Sequence, residues 1–304
     1  MQISGHTRLG CLLGSPVAHS ISPAMYNESF RLLDLDYVYL CFDTKNKDLK
    51  SFVGTLRDMN VFGFNLTMPD KERVMEYLDE IDEAARMIGA VNTVKNEDGR
   101  LIGYNTDGIG YIRSMQVTGH DFTDETMTLL GAGGAASSIA VQAALGGVRN
   151  LHILNRKNGC SYANAVRLAE QINRGTSCAA DVIDLNDKAS VHAAIWESSL
   201  LTNATSVGMA PDTDRLPLAD LTCLHPGMTV SDIIYNPRRT RLLEEAEKIG
   251  CTVSNGLYML LYQGEAAFRL WTGLDMPTEA IREKLFDTSR SGATRPAAEG
   301  WKNE

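Results

Sequence analysis

An apolar run, Thr128-Leu129-Leu130, leads straight into Gly131-Ala132-Gly133-Gly134-Ala135-Ala136, and an alanine-rich stretch follows. Gly-x-Gly-x-x-Ala between a strand and a helix reads as a turn that cradles a dinucleotide pyrophosphate. The first glycine permits the turn, the second lets backbone approach the phosphates, and the small Ala136 allows close helix–strand packing. Four earlier segments carry polar side chains where apolar runs end. In Ser20-Ile21-Ser22-Pro23 the two hydroxyls of an extended chain point the same way, which suits a carboxylate; Ser22 capping a helix with Pro23 in its first turn is the plainer reading. Asn65, Thr67 and Lys71 cluster around Pro69. A lysine at a helix start opposes the helix dipole, so its ammonium is either solvated or held there for chemistry. Asn92 lies within the apolar run 89–94 and requires partners if buried. Asp107 ends the run Gly103-Tyr104-Asn105-Thr106-Asp107 before a helix, where capping alone would account for it.

The elements that must position these residues alternate. Strand-like segments are expected over 9–13, 37–42 and 63–67, and helices over 23–33, 48–59 and 71–88. A hairpin is expected over 91–95 and 100–104 around Glu97-Asp98-Gly99. After the helix 109–118 and a polar connection 119–126, the glycine turn opens a second unit. Its strands are expected over 127–130, 151–154, 180–183, 200–203, 229–233 and 252–253, with helices ending at 145 and spanning 240–249; 210–216 reads as a loop. Two last helices, 258–270 and 278–286, are placed to return to the first unit. The fold class is therefore α/β: an N-terminal domain with a mostly parallel sheet, a Rossmann domain, and a cleft between them. The expected divisions are 1–107 with 258–287 for the substrate side, 108–257 for the dinucleotide side, and a mobile tail over 288–304.

Composition narrows the class further. The chain has 304 residues, 44% hydrophobic and 22% charged, with a net charge of -9. That is ample for two domains, and it argues against nonspecific nucleic-acid or anionic-membrane binding while leaving room for an acidic small molecule. The six cysteines have neither C-x-x-C pairing nor metal-ligand spacing, so no metal is expected and the thiols suit a reducing compartment. With no signal peptide and no long apolar run, a cytoplasmic enzyme is expected, as monomer or homodimer.

Coenzyme choice falls to the end of the strand after the turn, Asn155-Arg156-Lys157-Asn158. An NAD-selective site places a carboxylate there for the ribose hydroxyls. Asn155 can bond the ribose without repelling a 2′-phosphate, while Arg156 and Lys157 can meet that phosphate, stack on adenine, or stay solvated.

Together these motifs resemble the shikimate dehydrogenase family, in order, from Gly14 to about Phe286. They are Ser20-x-Ser22-Pro23, Asn65-x-Thr67-x-Pro69-x-Lys71, Gly89-Ala90-x-Asn92-Thr93, Asn105-Thr106-Asp107-Gly108 and Gly131-Ala132-Gly133-Gly134-Ala135. Further on stand Asn203-Ala204-Thr205-x-x-Gly208-Met209, Asp232-x-x-Tyr235-x-Pro237-x-x-Thr240, and Gly256 with Gln263-Gly264. Tyr37-x-Tyr39, Thr67-Met68-Pro69, Asn155-Arg156-Lys157 and Leu270-Trp271-Thr272-Gly273 make it most similar to the quinate/shikimate dehydrogenase branch. The resemblance implies reversible hydride transfer between NAD(P)H and 3-dehydroshikimate in the shikimate pathway, with quinate as a second substrate.

It also implies roles. Lys71 and Asp107 form the catalytic pair, although a carboxylate beside an ammonium favours the charged form over the neutral base. Ser20, Ser22 and Tyr235 hold the substrate carboxylate, with Tyr39 on the substrate side, and Thr67, Asn92, Asp107 and Gln263 read hydroxyls. Gly131, Ala132, Gly133, Gly134, Ala135, Asn155, Arg156, Asn158 and Thr205 belong to the coenzyme, Ile233 and Gly256 line the nicotinamide, and Glu83 matches a coenzyme-side position loosely. The chain departs from the family at Lys157 and Cys160, where the NADP branch carries Thr and Arg, and at Asn158, often Asp in the quinate/shikimate branch. The expected coenzyme is NAD or NADP, with a slight lean to NAD. A dehydrogenase of another cyclic polyol or amino-shikimate, and an inactive NAD(P)-binding sensor, remain the alternatives.

Overall fold

The computed structural model describes residues 3–45 and 48–287; the expected tail, 288–304, lies outside the described residues. Among the described residues twelve strands form two six-stranded sheets. The first contains β1 (Arg8–Gly14), β2 (Tyr37–Asp43), β3 (Gly63–Leu66), β4 (Glu80–Ile81), β5 (Thr93–Glu97) and β6 (Arg100–Tyr104), in the order β2-β1-β3-β5-β6-β4. β1 pairs in parallel with β2 and β3, and its near-continuous apolar run is buried because both sheet faces are covered. β5 and β6 form the expected hairpin, with Asp98 and Gly99 in the left-handed region and the Gly99 N–H held by the Asn96 side-chain Oδ1 at 2.8 Å.

The second sheet contains β7 (Thr126–Leu130), β8 (Asn150–Asn155), β9 (Ala179–Asp184), β10 (Leu200–Asn203), β11 (Thr229–Asp232) and β12 (Thr252–Asn255). Its order is β12-β11-β10-β7-β8-β9, parallel throughout. The chain winds one way from β7 to β9 and the other way from β10 to β12. The order therefore reverses between β7 and β10, and a ligand crevice opens at the carboxyl ends of those strands.

Helices α1 (Ser22–Leu32) and α2 (Leu49–Asp58) cover the first sheet, and α3 (Glu83–Ile88) and α4 (Asp107–Val117) lead out of it. The second sheet carries α5 (Gly134–Leu145), α6 (Tyr162–Gly175), α7 (Lys188–Glu197) and α8 (Arg241–Ile249). The chain then returns through α9 (Leu257–Thr272) and α10 (Thr278–Ile281). Trp271 on α9 donates its indole N–H to the Val94 carbonyl of β5 at 2.9 Å and packs edge-on against Tyr26 and Phe62. Tyr26, Phe30, Tyr39, Phe62, Phe268 and Trp271 share one buried cluster, so α9 seals the first sheet's core. At Gly110 a side chain would stand 2.4 Å from the Gln263 backbone nitrogen, so glycine there lets α4 and α9 touch.

Two expectations change, and two helices are added. The helix expected over 71–88 is a 3-10 turn over Arg73–Tyr77, the short β4, and α3. Leu78 turns extended, Asp79 exchanges backbone and side-chain hydrogen bonds with Leu101, and the Asp82 carboxylate starts a new helix by accepting from the Ala84 N–H. The terminal helix expected over 278–286 is α10 followed by a wider π turn at Arg282–Phe286. Helices α6 and α7, for which the sequence reading assigns nothing, complete the crossovers that a parallel sheet demands. Among the described residues no helix is long and apolar enough to cross a membrane.

His152 on β8 sits between carboxylates of two elements, Asp181 on β9 and Glu197 on α7, each 2.8 Å away. The bond to Asp181, reinforced by the charge of both carboxylates, raises its pKa above the ordinary 6.5. A raised folded-state pKa stabilises fully below the ordinary value and loses that stabilisation as pH climbs through the folded value. Urea midpoints are therefore expected to fall as pH rises above about 6.5. In His152→Gln that slope flattens; an unchanged slope would remove His152 from the pH dependence.

Candidate active site

The site is built around a buried carboxamide. Asn92, 2% exposed, stands just before β5. Its oxygen accepts from the Thr106 backbone N–H at 2.7 Å and the Thr93 hydroxyl at 3.0 Å. A backbone N–H can only donate, so the amide nitrogen must point the other way, and it donates to Asp107 Oδ1 at 2.7 Å. The other Asp107 oxygen, Oδ2, accepts from Lys71 Nζ at 2.6 Å, and the Asp107 N–H donates to the Asn105 side chain. Lys71 stands in the turn before the 3-10 segment and not at the start of a helix, so the expected conflict with a helix dipole does not arise. Its main chain is tied in as well, for the Val91 N–H donates to the Lys71 carbonyl at 2.9 Å.

Beneath this pair lies a second buried layer. Asn65 on β3 donates to the Asn92 carbonyl and the Thr93 hydroxyl, and accepts from Tyr39 at 2.7 Å. Tyr39 is fully buried, its ring tilted against Tyr26 in the aromatic core, with burial pushing its hydroxyl well above its ordinary pKa. The structure therefore puts Tyr39 behind the cleft wall, where it holds Asn65, and not among the cleft-lining residues; its strand position lets the ring point into the core.

A cleft of about 560 Å³ opens in front of the Lys71–Asp107 pair. Ser20, Ser22, Thr67, Asn92, Tyr235 and Gln263 all line it, and Ser20 and Ser22 stay close through a Ser22 N–H to Ser20 Oγ bond of 3.3 Å. On the coenzyme side Ala135, Ile233 and Gly256 reach the same cleft. At Gly256 a side chain would fall 1.8 Å from the Ile233 carbonyl oxygen, so this glycine is demanded by the chain crossing itself. His19, Asn65 and Arg238 also line the cleft, although the sequence reading gives them no role. Asn65 shares a segment with Thr67 and Lys71, which was its available signal; Arg238, whose guanidinium donates to the Phe286 carbonyl at 3.3 Å, has none.

The remaining residues expected to meet the coenzyme lie at the carboxyl ends of β7, β8 and β10. Gly131 follows β7 with φ +103°, which favours glycine. Gly133 caps α5 in an extended conformation that any residue adopts, and no atom lies within 4 Å of where a side chain at Gly133 or Gly134 would begin. The protein's own packing thus does not explain these two glycines, whereas a pyrophosphate against the unpaired N–H groups of α5 does. Thr205 sits after β10, folded onto Asn203 by two hydrogen bonds. Asn155 ends β8 buried, its amide donating to Ser161 Oγ at 3.0 Å, while Arg156 and Asn158 are exposed. Glu83 is exposed at the start of α3 and outside the cleft lining. The buried Asp232 accepts from Asn203, Ile234 and Thr240 and so fixes the bend that carries Ile233 and Tyr235 to the cleft; burial raises its pKa. Among the described residues no group of three or more His, Cys, Asp or Glu side chains is arranged to hold a metal ion.

Residues 12–94 match the shikimate dehydrogenase substrate binding domain, and 256–286 match the shikimate 5'-dehydrogenase C-terminal domain. A shikimate dehydrogenase (NADP(+)) of Listeria innocua is 48% identical over 94% of this chain and 98% of its own length. The chain belongs to the shikimate dehydrogenase family. A quinate/shikimate dehydrogenase of Escherichia coli is 38% identical over 94% of the chain and 99% of its own. The crystal structure of a shikimate 5-dehydrogenase from Listeria monocytogenes, in complex with shikimate and NAD, superposes with a TM-score of 0.91 at 48% identity, covering 94% of this chain and 99% of that one. The family's dinucleotide fits the glycine geometry described above. The family relatives named NADP(+)-dependent give no support to the slight lean towards NAD.

Gly133→Ala separates packing from ligand binding. Its side chain meets open space, so the melting temperature should stay within about 2 °C. The methyl group would nonetheless occupy the pyrophosphate's approach, and coenzyme affinity should fall at least about tenfold. Unchanged coenzyme titration would remove the pyrophosphate from this turn.

Proposed function

We propose that this chain is a shikimate dehydrogenase that interconverts shikimate and 3-dehydroshikimate with NAD(P) as hydride carrier. One observation carries the reading: Lys71 Nζ and Asp107, 2.6 Å apart, face a cleft that Ala135 of the glycine turn also lines. Residues 1–107 with 258–287 serve the substrate and 108–257 the dinucleotide. The coenzyme, when bound, supplies the acceptor for the hydride.

This chain's residues supply the rest. Ser20, Ser22 and Tyr235 offer three hydroxyls to the substrate carboxylate at one end of the cleft, and Thr67, Asn92 and Gln263 offer hydrogen bonds to ring hydroxyls. As hydride leaves the alcohol carbon, its oxygen must release a proton. Lys71 and Asp107 are the bonded pair positioned to hold that oxygen and pass the proton on. Asn92 keeps Asp107 in place, and the apolar Leu12, Ile233, Met259 and Leu260 limit water around the reacting carbon. Quinate as a second substrate is supported by the 38% identity to a quinate/shikimate dehydrogenase.

The coenzyme proposal is NADP with NAD also accepted. Asn155 to Asn158 contain no carboxylate to repel a 2′-phosphate, and Arg156 and Lys157 are exposed cations. A reducing, cytoplasmic compartment suits the six free thiols.

Steady-state rates with shikimate and quinate, each against NAD and NADP, test the reading. Turnover of shikimate is expected; none with any of the four pairs would sink it. Lys71→Ala should lower kcat at least about a hundredfold with KM for shikimate changed less than about fivefold, and an unchanged kcat takes Lys71 out of the chemistry. Arg156→Ala should raise KM for NADP about tenfold and leave NAD within about twofold. Equal effects on both coenzymes would contradict a 2′-phosphate contact at Arg156.

A further inference from the structure

Two side chains on α6 connect the glycine turn to the loop that carries Asn92. Asn164 donates its amide N–H to the Ala132 carbonyl at 2.6 Å and to Ser137 Oγ at 3.1 Å. Arg167 fixes which way that amide faces, since its Nε and Nη2 both donate to Asn164 Oδ1, at 3.1 and 2.6 Å. Nη2 also donates to the Ile88 carbonyl, the last residue of α3, at 3.3 Å, and Nη1 bonds Gln171. At Gly89, with φ +79°, a side chain would begin 3.3 Å from Nη2, so the guanidinium lies against the chain as it leaves α3.

Each end of this bridge has a mechanical consequence. The peptide linking Ala132 to Gly133 is planar, with its C=O and N–H pointing in opposite directions. Holding the Ala132 oxygen towards α6 therefore turns the Gly133 N–H away from α6. At the other end, Ile88 and Gly89 lead in three residues to Asn92, and Val91 on the way holds the Lys71 carbonyl. Ile88 and Ala90 are buried in the same core as Ile139 and Leu168 of α5 and α6, so this loop is seated against the dinucleotide side of the molecule.

We propose that Asn164 and Arg167 are positioning residues: Asn164 sets the phosphate-facing peptide of the turn, and Arg167 locks that peptide and the Asn92 loop in one geometry. The proposal rests on the dehydrogenase reading for its catalytic half and on the glycine turn alone for its binding half. The guanidinium is suited to this because its planar fork makes several directed bonds at once, which an ammonium cannot reproduce.

Asn164→Asp, Asn164→Ala and Arg167→Lys test it. Aspartate keeps an acceptor for Arg167 but sets a carboxylate against the Ala132 carbonyl. Calorimetric titration with NADP+ alone is expected to give a Kd raised about tenfold in both Asn164 variants, with kcat at saturating coenzyme and shikimate within about twofold of the parent. Arg167→Lys is expected to raise Kd similarly and also to lower kcat about tenfold at saturation, because the Asn92 loop loses its tie. A parental Kd in folded Asn164→Asp or Asn164→Ala overturns the role in the turn. A parental kcat in Arg167→Lys overturns the link to the catalytic set. If the parent binds NADP+ but turns over no shikimate, the dehydrogenase reading fails while the Kd comparison still decides the bridge.

Discussion

The orientation of one carboxamide governs the substrate side of this molecule. Asn92 is surrounded by groups that leave it a single satisfied arrangement: a backbone N–H that can only donate meets its oxygen, and a carboxylate that can only accept meets its nitrogen. A buried amide that turned over would leave both partners unpaired, at a cost of a few kcal/mol. The side chain is therefore rigid, and its rigidity passes to Asp107 and through Asp107 to Lys71. Asn65, Thr93 and Tyr39 form the layer that holds it from behind. A pair of opposite charges at the edge of a cleft would otherwise be free to sample many geometries, and hydride transfer from a bound alcohol needs one.

The fold brings this rigid set to the shared cleft by two crossings of the chain between the sheets. The chain completes one sheet, crosses through α4, completes a second, and returns through α9. Helices α4 and α9 touch where Gly110 leaves no side chain between them, and Trp271 in the last turn of α9 is locked to β5 of the first sheet. Both helices consequently belong to the wall between the two halves. Gln263 stands on that wall and so reaches the substrate cleft although it is 156 residues beyond Asp107 (263 − 107). The aromatic cluster under the cleft serves the same end: it anchors α9 against the first sheet, whose core the returning helix then shares.

The glycines illustrate how different constraints produce the same residue. Gly131 is required by its left-handed backbone, Gly256 by the closeness of the Ile233 carbonyl, and Gly110 by helix contact. Gly133 and Gly134 meet none of these demands, and the open space beside them at the start of α5 would admit a phosphate. In the sequence all of these look alike. Lys71 is a comparable case: read as the first residue of a long helix it seemed electrostatically misplaced, and the actual turn removes the conflict by ending that helix before it begins.

The sequence by itself determined most strands of both sheets, the mostly parallel architecture, the glycine turn, and the polar segments that converge on the cleft, but not α6, α7 or the break between residues 71 and 88. These are local or periodic properties: apolar runs of strand length, turn chemistry at Asp98-Gly99, and a strand–glycine–helix succession whose residues are neighbours in the chain. Only the tertiary structure decided that Tyr39 supports the site from behind, that Asn65 joins it, and that Arg238 lines it. It alone also decided that Asn164 reaches the glycine turn and that Arg167 touches both halves. The physical reason is the same in each case. Whether a side chain faces a cleft, a core or a carbonyl depends on which distant element lies opposite, and a buried hydroxyl or amide takes its role from a partner tens of residues away.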